Sequence, residues 1–218
     1  MKQLGAAVLV AAALAGCGSA QHGTASVWVT RDRGAHVLLV RKVPAGLTAM
    51  QALQRVAHVQ TRYAGRFVQS INGVSGSLER QQDWFYFVNG YEADRGAAEY
   101  RLHPGDVEWW DYRSWKTAMR VPVVVGAFPE PFLHGYDGKR LTACVVGPRS
   151  KAKRMLQRLL HARSGPCEAN VLILEPGARE RFAASTRGAG ERVRFVYVGN
   201  PLRLARNPQL ARFRYSLP

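Results

Sequence analysis

The chain is poor in cysteine, in acidic residues and in long apolar runs. Its 218 residues include 3 Cys, and 15 Asp+Glu stand against 31 Lys+Arg, which leaves a formal net charge of +16. Three cysteines are too few for a disulfide-dense miniprotein, and no apolar run reaches the roughly 18 residues of a spanning helix, which excludes a polytopic membrane protein. A hydrophobic content of 47% excludes a disordered chain. The composition therefore indicates a folded protein of one or two domains with an excess of positive charge.

The N-terminus has the pattern of an export signal. Lys2 precedes a short apolar run that ends at Leu14, and Ala15, Gly16 and Cys17 follow directly. This arrangement resembles the bacterial lipobox, which implies cleavage before Cys17 and attachment of acyl chains such as palmitate. We therefore expect a lipoprotein signal peptide at 1–16, a tether at 17–25 and a lipid-anchored protein at the extracytoplasmic face of the cell membrane. An ordinary secretory signal with an incidental cysteine is the alternative.

The other two cysteines, Cys144 and Cys167, form an even pair in an oxidising compartment. A bond between them would close a loop of about 24 residues and contribute roughly 3 kcal/mol. We predict this disulfide, and two unpaired buried thiols are the alternative. No His or Cys lies near them at ligand spacing, and the six histidines are scattered, so we predict no metal site.

Charge divides the chain into two halves. Residues 18–138 hold 13 Lys+Arg against 11 Asp+Glu, whereas residues 139–218 hold 17 against 4. Between them, Pro129 and Pro131 interrupt any regular ladder. We predict one domain at 26–125, a linker at 126–138 and a basic domain at 139–218.

The first half is predicted to be mostly strands with one helix. Thr48 is a good N-cap for a helix that runs to about Gln60. Two apolar strands each enter an Asn-Gly pair, which is a strong hairpin signal. This is an α+β pattern with the helix on one sheet face, compatible with a β-grasp-like domain. The predicted strands cover residues 27–30, 37–43, 67–71, 84–88, 107–112 and 121–125.

The second half is predicted to be a small α/β domain. Strands at 141–146, 171–174 and 193–198 alternate with a helix at 151–162, capped by Ser150, and a short helix near 178–184. Apolar residues occupy one arc of the longer helix, and basic residues occupy the other. This basic face is the candidate surface for an anionic partner, with Lys151, Lys153, Arg154 and Arg158 as its residues. A simple solvated face is the alternative.

Aromatic residues are concentrated around Trp84–Phe87 and Trp109–Trp115. Neighbours on a strand point to opposite faces, so we expect that Trp109 and Trp110 cannot both be core. An exposed aromatic row with nearby polar groups suits a flat ligand or a partner, and core packing is the alternative. The candidate ligand-binding residues are Trp84, Tyr86, Asn89, Trp109, Trp110, Asp111, Arg113 and Trp115.

Four segments in order resemble the transcobalamin C-terminal-like domain, a β-grasp-related family. They are Tyr63–Gly73, Asp83–Gly90, Tyr100–Asp106 and Trp109–Tyr112, and the resemblance covers about residues 26–125. In transcobalamin and intrinsic factor the similar domain covers one face of cobalamin, while a helical-barrel domain holds the other. This chain has no helical barrel, so the resemblance implies at most half of such a site.

The function expected from these observations is non-catalytic. We find no nucleophile elbow and no phosphate loop, and Asp106 with Asp111 would be the weaker, enzymatic alternative. The leading expectation is a ligand-binding module without a resident cofactor, with cobalamin or a related corrinoid as ligand and uptake as its context. The rival is a cell-envelope module that contacts a transporter, an envelope polymer or another anionic surface. Nucleic acid ranks low because an exported protein seldom meets it.

Overall fold

The strands and helices form three sheets with short helices packed against them. The computed structural model describes residues 23–163 and 170–215. The strands β1 to β12 are Thr24–Arg31, His36–Pro44, Val59–Arg62, Phe67–Ile71, Val74–Ser75, Gln82–Val88, Tyr91–Glu92, Val107–Ser114, Ala143–Val146, Asn170–Pro176, Arg181–Ser185 and Arg194–Gly199. The helices α1 to α3 are Ala49–Gln54, Lys151–Leu159 and Pro201–Arg206.

The largest sheet places β8 at its centre. Its strand order is β2-β1-β8-β6-β7, with β8 parallel to β1 and antiparallel to β6. A separate sheet holds β3, β4 and β5. The expected α+β class is confirmed, and the β-grasp arrangement stays a prediction.

Both predicted Asn-Gly turns are present. Asn72 and Gly73 have φ of 48° and 81° and join β4 to β5, while Asn89 and Gly90 have φ of 51° and 86° and join β6 to β7. Two consecutive positive φ values are what a tight hairpin turn requires, and Asn and Gly adopt them at low cost.

Helix α1 begins where predicted and ends earlier. Thr48 caps it through a reciprocal box with Gln51, in which each side chain accepts a hydrogen bond from the backbone N–H of the other residue. The helix ends at Gln54 because Val59 already pairs with Ile71 in the next sheet, which leaves no room for helix up to residue 60.

The basic half forms a four-stranded sheet in the order β11-β12-β10-β9. Strands β9, β10 and β12 of this sheet are parallel to one another. Ser150 caps α2 by accepting a hydrogen bond from the Lys153 N–H (3.1 Å). The prediction of a short helix near 178–184 is wrong. Residues 181–185 are β11 instead, because Phe182 packs on Tyr197 of the neighbouring strand (ring centroids 5.1 Å apart).

The segment after β8 is packed inside the protein. The predicted strand at 121–125 does not form; Val123 makes a single bridge to Tyr91, and a 3-10 turn covers Val125–Ala127. In the expected linker, Phe128 and Phe132 are buried in the same apolar core as residues of both halves. The rings of Phe132 and Phe195 are 5.2 Å apart, so this segment joins the first half to the second sheet.

The C-terminal segment returns to the first sheet and covers its second face. Phe213 lies 4.9 Å from Trp28 and 5.9 Å from Trp109 between ring centroids, and Tyr215 lies 5.3 Å from Trp109. The Phe213 N–H donates to the carbonyl of Gly126. A side chain at residue 126 would clash, since its Cβ would lie 2.6 Å from the Trp109 ring. The close approach of this segment therefore requires glycine at 126.

Replacing Phe213 with Ala tests this covering contact. We expect a loss of about 2 kcal/mol in the free energy of unfolding, roughly half of what a fully buried ring costs, since Phe213 is half-buried. Urea denaturation measures it. The control Leu78→Ala, at an 85% exposed side chain, should change stability by less than about 0.5 kcal/mol. Equal stability of the two variants would contradict the packing.

Candidate functional site

Most of the aromatic and polar residues proposed as ligand contacts are core residues. Six of them are at most 6% exposed: Trp84, Asn89, Trp109, Trp110, Asp111 and Arg113. The expectation that Trp109 and Trp110 cannot both be core is wrong, because both faces of β8 are covered. Tyr86 and Trp115 are half-buried, and Tyr86 stacks on Trp110 with centroids 4.8 Å apart. A ligand therefore cannot reach most of this set in the folded protein.

Asp111 organises the turn between β1 and β2. Its carboxylate accepts hydrogen bonds from the Thr30 hydroxyl (2.5 Å) and the N–H groups of Arg33 (3.1 Å) and Gly34 (3.0 Å). The Thr30 hydroxyl in turn accepts from the Trp109 indole (2.7 Å). Burial raises the pKa of Asp111, while these hydrogen bonds lower it. The Asp111 carboxylate therefore stabilises the β1–β2 turn.

Arg113 is hydrogen-bonded to backbone carbonyls of the loop after β8 and forms no ion pair with Asp111. Its guanidinium lies 3.7 Å from the centroid of the Phe85 ring and donates to the carbonyls of Ala118 (2.7 Å) and Met119 (3.0 Å). Among the described residues, no Asp or Glu lies within ion-pair distance of it. Burial lowers the pKa of Arg113. The side chain fixes the loop that follows β8.

Glu108 lies on the opposite face of β8 from Asp111, because side chains alternate along a strand. It is fully buried, and one carboxylate oxygen accepts from the Trp110 indole (2.5 Å). The other carboxylate oxygen has no hydrogen-bond partner. Burial raises the pKa of Glu108 well above its ordinary value, which favours the neutral acid.

Asp106 and Asn89 connect three segments at the start of β8. Asp106 accepts from the Asn89 amide (2.7 Å) and from the His103 N–H (2.8 Å). Asn89 also donates to the Gly135 carbonyl (2.9 Å) and accepts from the Val107 N–H (2.8 Å). Asp106 and Asp111 are five residues apart on an extended chain, which is about 17 Å. The structure therefore does not bring the two enzymatic candidates together.

His134 and Glu130 form the closest imidazole–carboxylate contact of the described residues. The Nδ1 atom of His134 is 2.6 Å from Oε1 of the buried Glu130, and the His134 N–H donates to Oε2 (2.9 Å). The hydrogen bond to Glu130 raises the pKa of His134. This pair lies beside the Asp106 network, because a Cβ on Gly105 would meet the His134 ring.

The basic face of α2 is exposed and borders a cleft. Lys151, Arg154 and Arg158 are exposed, while Ala152 and Leu156 are buried against the sheet. The two-sided pattern predicted for this helix is confirmed. Lys153 is half-buried and donates to the Gly147 carbonyl (3.1 Å).

This cleft has a volume of about 400 Å³ and four basic side chains along its lining. They belong to Arg149, Lys153, Arg154 and Arg163, and no acidic residue of the described chain lines it. Arg149 and Arg163 are not among the residues predicted from the sequence, because both lie just outside the helix. The excess positive charge of the second half indicates a basic surface, but it does not identify which loop residues lie together in the cleft.

The remaining site predictions fall outside the described residues or stay untested. Cys17 and Cys167 lie outside residues 23–163 and 170–215, so lipidation and the Cys144–Cys167 disulfide stay predictions. Within those ranges no three His, Cys, Asp or Glu side chains are placed as metal ligands. Each helix of the same ranges lacks the length or the apolar character that crossing a bilayer demands.

The His134–Glu130 contact predicts a pH-dependent contribution to stability. A raised pKa means that the stabilisation is complete below about pH 6.5, the ordinary value for histidine, and is lost as the pH rises through the folded-state pKa. His134→Gln should therefore cost about 0.5–1 kcal/mol at pH 5.5 and less at pH 9, since the side chain is partly solvated.

Urea denaturation at both pH values measures this difference. His36→Gln, at an exposed histidine 3.6 Å from Asp32, is the matched control and should show little difference between the two pH values. A cost for His134→Gln that grows toward pH 9 would contradict the assignment.

Comparisons with known proteins cover part of the chain. Residues 46–114 match a domain of unknown function, DUF4430. A candidate metal-binding protein from Ruminococcus gnavus ATCC 29149 is similar at 15% identity and a TM-score of 0.35 over 42% of this chain and 97% of that one. Haptocorrin in complex with cobinamide is similar at 15% identity and a TM-score of 0.34 over 41% of this chain. The match spans 25% of the haptocorrin chain, and no curated protein matches.

Proposed function

We propose that this protein is a non-catalytic binding module of the cell envelope whose basic half docks on anionic phospholipid headgroups. The surface that binds is the face of α2 with its adjoining cleft, hereafter the basic cleft: Lys151, Arg158 and the four lining residues Arg149, Lys153, Arg154 and Arg163. Arg and Lys side chains near an anionic membrane contribute up to about 1 kcal/mol each.

The observation that carries this proposal is that most basic side chains of the second half have no acidic partner among the described residues. Among the described residues after 138, the one ion pair joins Arg203 to Glu180 (3.6 Å). The positive potential of the basic cleft is therefore not neutralised by acidic neighbours. The apolar interior behind α2 has a low dielectric constant, which concentrates this potential on the solvent side. Guanidinium groups bind phosphate oxygens through paired hydrogen bonds, which suits a headgroup.

The lipid anchor belongs to the same proposal. The lipobox-like residues 14–17 would place acyl chains on Cys17 and hold the mature protein at the extracytoplasmic membrane face. A single lipid-attached residue leaves orientation free, and a basic surface that faces the headgroups would fix it.

Absence of catalysis is also proposed. Asp106 and Asp111 are buried, and each is hydrogen-bonded within its own structural network. In the part of the chain that the structure describes, neither His134 nor Glu130 is hydrogen-bonded to a serine, threonine or cysteine side chain. These groups serve the fold, and we assign them no substrate.

Charge reversal tests the docking surface. In protein carrying Cys17→Ser, which would remove the proposed acyl chains, Arg154→Glu with Arg158→Glu should weaken sedimentation with phosphatidylglycerol vesicles by at least about 30-fold, since two favourable contacts are lost and two repulsive charges are added. Arg55→Glu with Arg66→Glu makes the same change of net charge at exposed sites of the first half and is the control. Equal weakening by both pairs would reduce the proposal to a net-charge effect and contradict it.

Cys17 is tested by fractionation of cells that express the full chain. The wild-type protein should stay with membranes after a high-salt wash, because acyl chains are not removed by screening. Cys17→Ser should appear in the soluble extracytoplasmic fraction after the same wash. Retention of the variant in the membrane fraction would contradict the anchor.

A corrinoid ligand is the second candidate, and an exposed aromatic pair favours it. Tyr63, 76% exposed, and Phe67 lie on the β3–β4 hairpin with ring centroids 6.3 Å apart. They belong to one of the segments that resemble the transcobalamin C-terminal-like domain. Exposed rings of this kind can stack on a flat ligand, whereas the buried tryptophans cannot.

Calorimetric titration with cobalamin tests this candidate. We expect saturable heat at micromolar affinity that Tyr63→Ala with Phe67→Ala abolishes. Leu78→Ala, at another exposed apolar side chain, is the control and should leave binding unchanged. A flat titration of the wild-type protein would exclude a corrinoid and leave the membrane proposal standing.

A further inference from the structure

The sheet edge formed by β2 is open and lies on the opposite half of the protein from the basic cleft. Among the described residues, β2 pairs with β1 and with no other strand. Its outer backbone groups are therefore free to pair with an added strand. Val37 and Leu38 on this edge are 49% and 47% exposed. Such an edge is a template for an extended peptide.

A groove runs between β2 and the C-terminal segment. Two neighbouring clefts of about 270 and 560 Å³ share Arg212 in their linings, and Val40 and Phe213 contribute apolar walls. Trp28 forms part of the floor, since it pairs with Val40 across β1 and β2. We call this feature the β2 groove.

The charge of the β2 groove has one sign. Its basic residues are Arg33, Arg41, Lys42, Arg212 and Arg214, and no Asp or Glu of the described chain lines either cleft. Asp32 of the β1–β2 turn lies 3.6 Å from His36, and the buried Asp111 carboxylate accepts from the Arg33 and Gly34 N–H groups behind the groove lining. A second copy of this chain would bring the same positive residues against themselves, so edge-to-edge dimerisation is disfavoured.

Arg212 has capacity for a partner. Its guanidinium lies 4.7 Å from the Trp28 ring and 4.8 Å from the Phe213 ring, which hold it in place. Its Nε atom is buried and has no hydrogen-bond partner. A carboxylate that enters the groove could pair with the Arg212 guanidinium, since this side chain lines both clefts.

We propose that the β2 groove binds an extended acidic segment of a partner protein, which adds to the sheet as a strand beside β2. Backbone hydrogen bonds to β2 would supply affinity, and carboxylates on the segment would select for the basic rim. This binding site goes beyond the membrane surface proposed above and does not depend on it.

The test uses a labelled peptide of seven residues that alternates Glu and Val, with blocked ends, and fluorescence anisotropy at physiological salt. We expect saturable binding to the purified protein. The same peptide with N-methyl groups on every internal amide keeps its charge and loses its backbone donors on both edges, so it should bind at least tenfold more weakly. A Lys-Val peptide should not bind.

Protein variants locate the site. Arg41→Glu with Lys42→Glu, both exposed on β2, should weaken the Glu-Val peptide at least tenfold. Arg154→Glu with Arg158→Glu makes the same charge change on α2 and should leave peptide binding within threefold. The first pair should in turn bind vesicles no more weakly than the Arg55→Glu with Arg66→Glu control, so failure of one proposal is separable from failure of the other.

Three results would overturn the proposal. They are absence of binding at millimolar peptide, equal binding of the N-methylated peptide, and equal weakening by the β2 and α2 pairs. A dimer in sedimentation experiments that Arg41→Glu with Lys42→Glu alters would assign the edge to a second copy, which also overturns it. Urea denaturation confirms that each variant folds.

Discussion

Strand β8 carries two acidic residues and one arginine through the middle of the protein, and all three of Glu108, Asp111 and Arg113 are buried. A buried charge is costly unless it finds a partner, so Asp111 and Arg113 must be satisfied by other segments. Asp111 holds the β1–β2 turn, and Arg113 holds the loop that follows β8. The conformation of these two loops thus depends on one strand.

The same strand determines where the aromatic residues lie. Its two faces carry Trp109 and Trp110, and a sheet covered on both sides buries both. Residues 211–215 supply the cover on the Trp109 face, and the first-half core supplies it on the other. Most of the aromatic residues around Trp84 and Trp109 therefore serve packing.

Packing joins the two halves that differ in charge. Besides Phe132 against Phe195, the Tyr91 hydroxyl donates to the Glu191 carbonyl (2.6 Å), and the segment expected to be a linker is buried in the shared core. The basic cleft belongs to the second half, and the β2 groove forms where the C-terminal segment meets the first half. The two basic surfaces therefore lie on one packed unit.

The sequence by itself determined the local elements. Alternation, capping residues and Asn-Gly pairs depend on near neighbours, so the strands around Trp84 and Trp109, the two hairpin turns and the Ser150 cap were predictable. It also determined the excess of positive charge and the two-sided character of α2. Tertiary structure decided what depends on distant contacts. Residues 181–185 became a strand because β12 was available, and the aromatic candidates became core because Phe213 and Tyr215 return to a sheet about 100 residues earlier in the chain. A single strand pattern cannot say whether its second face will be covered, since that cover comes from elsewhere in the chain.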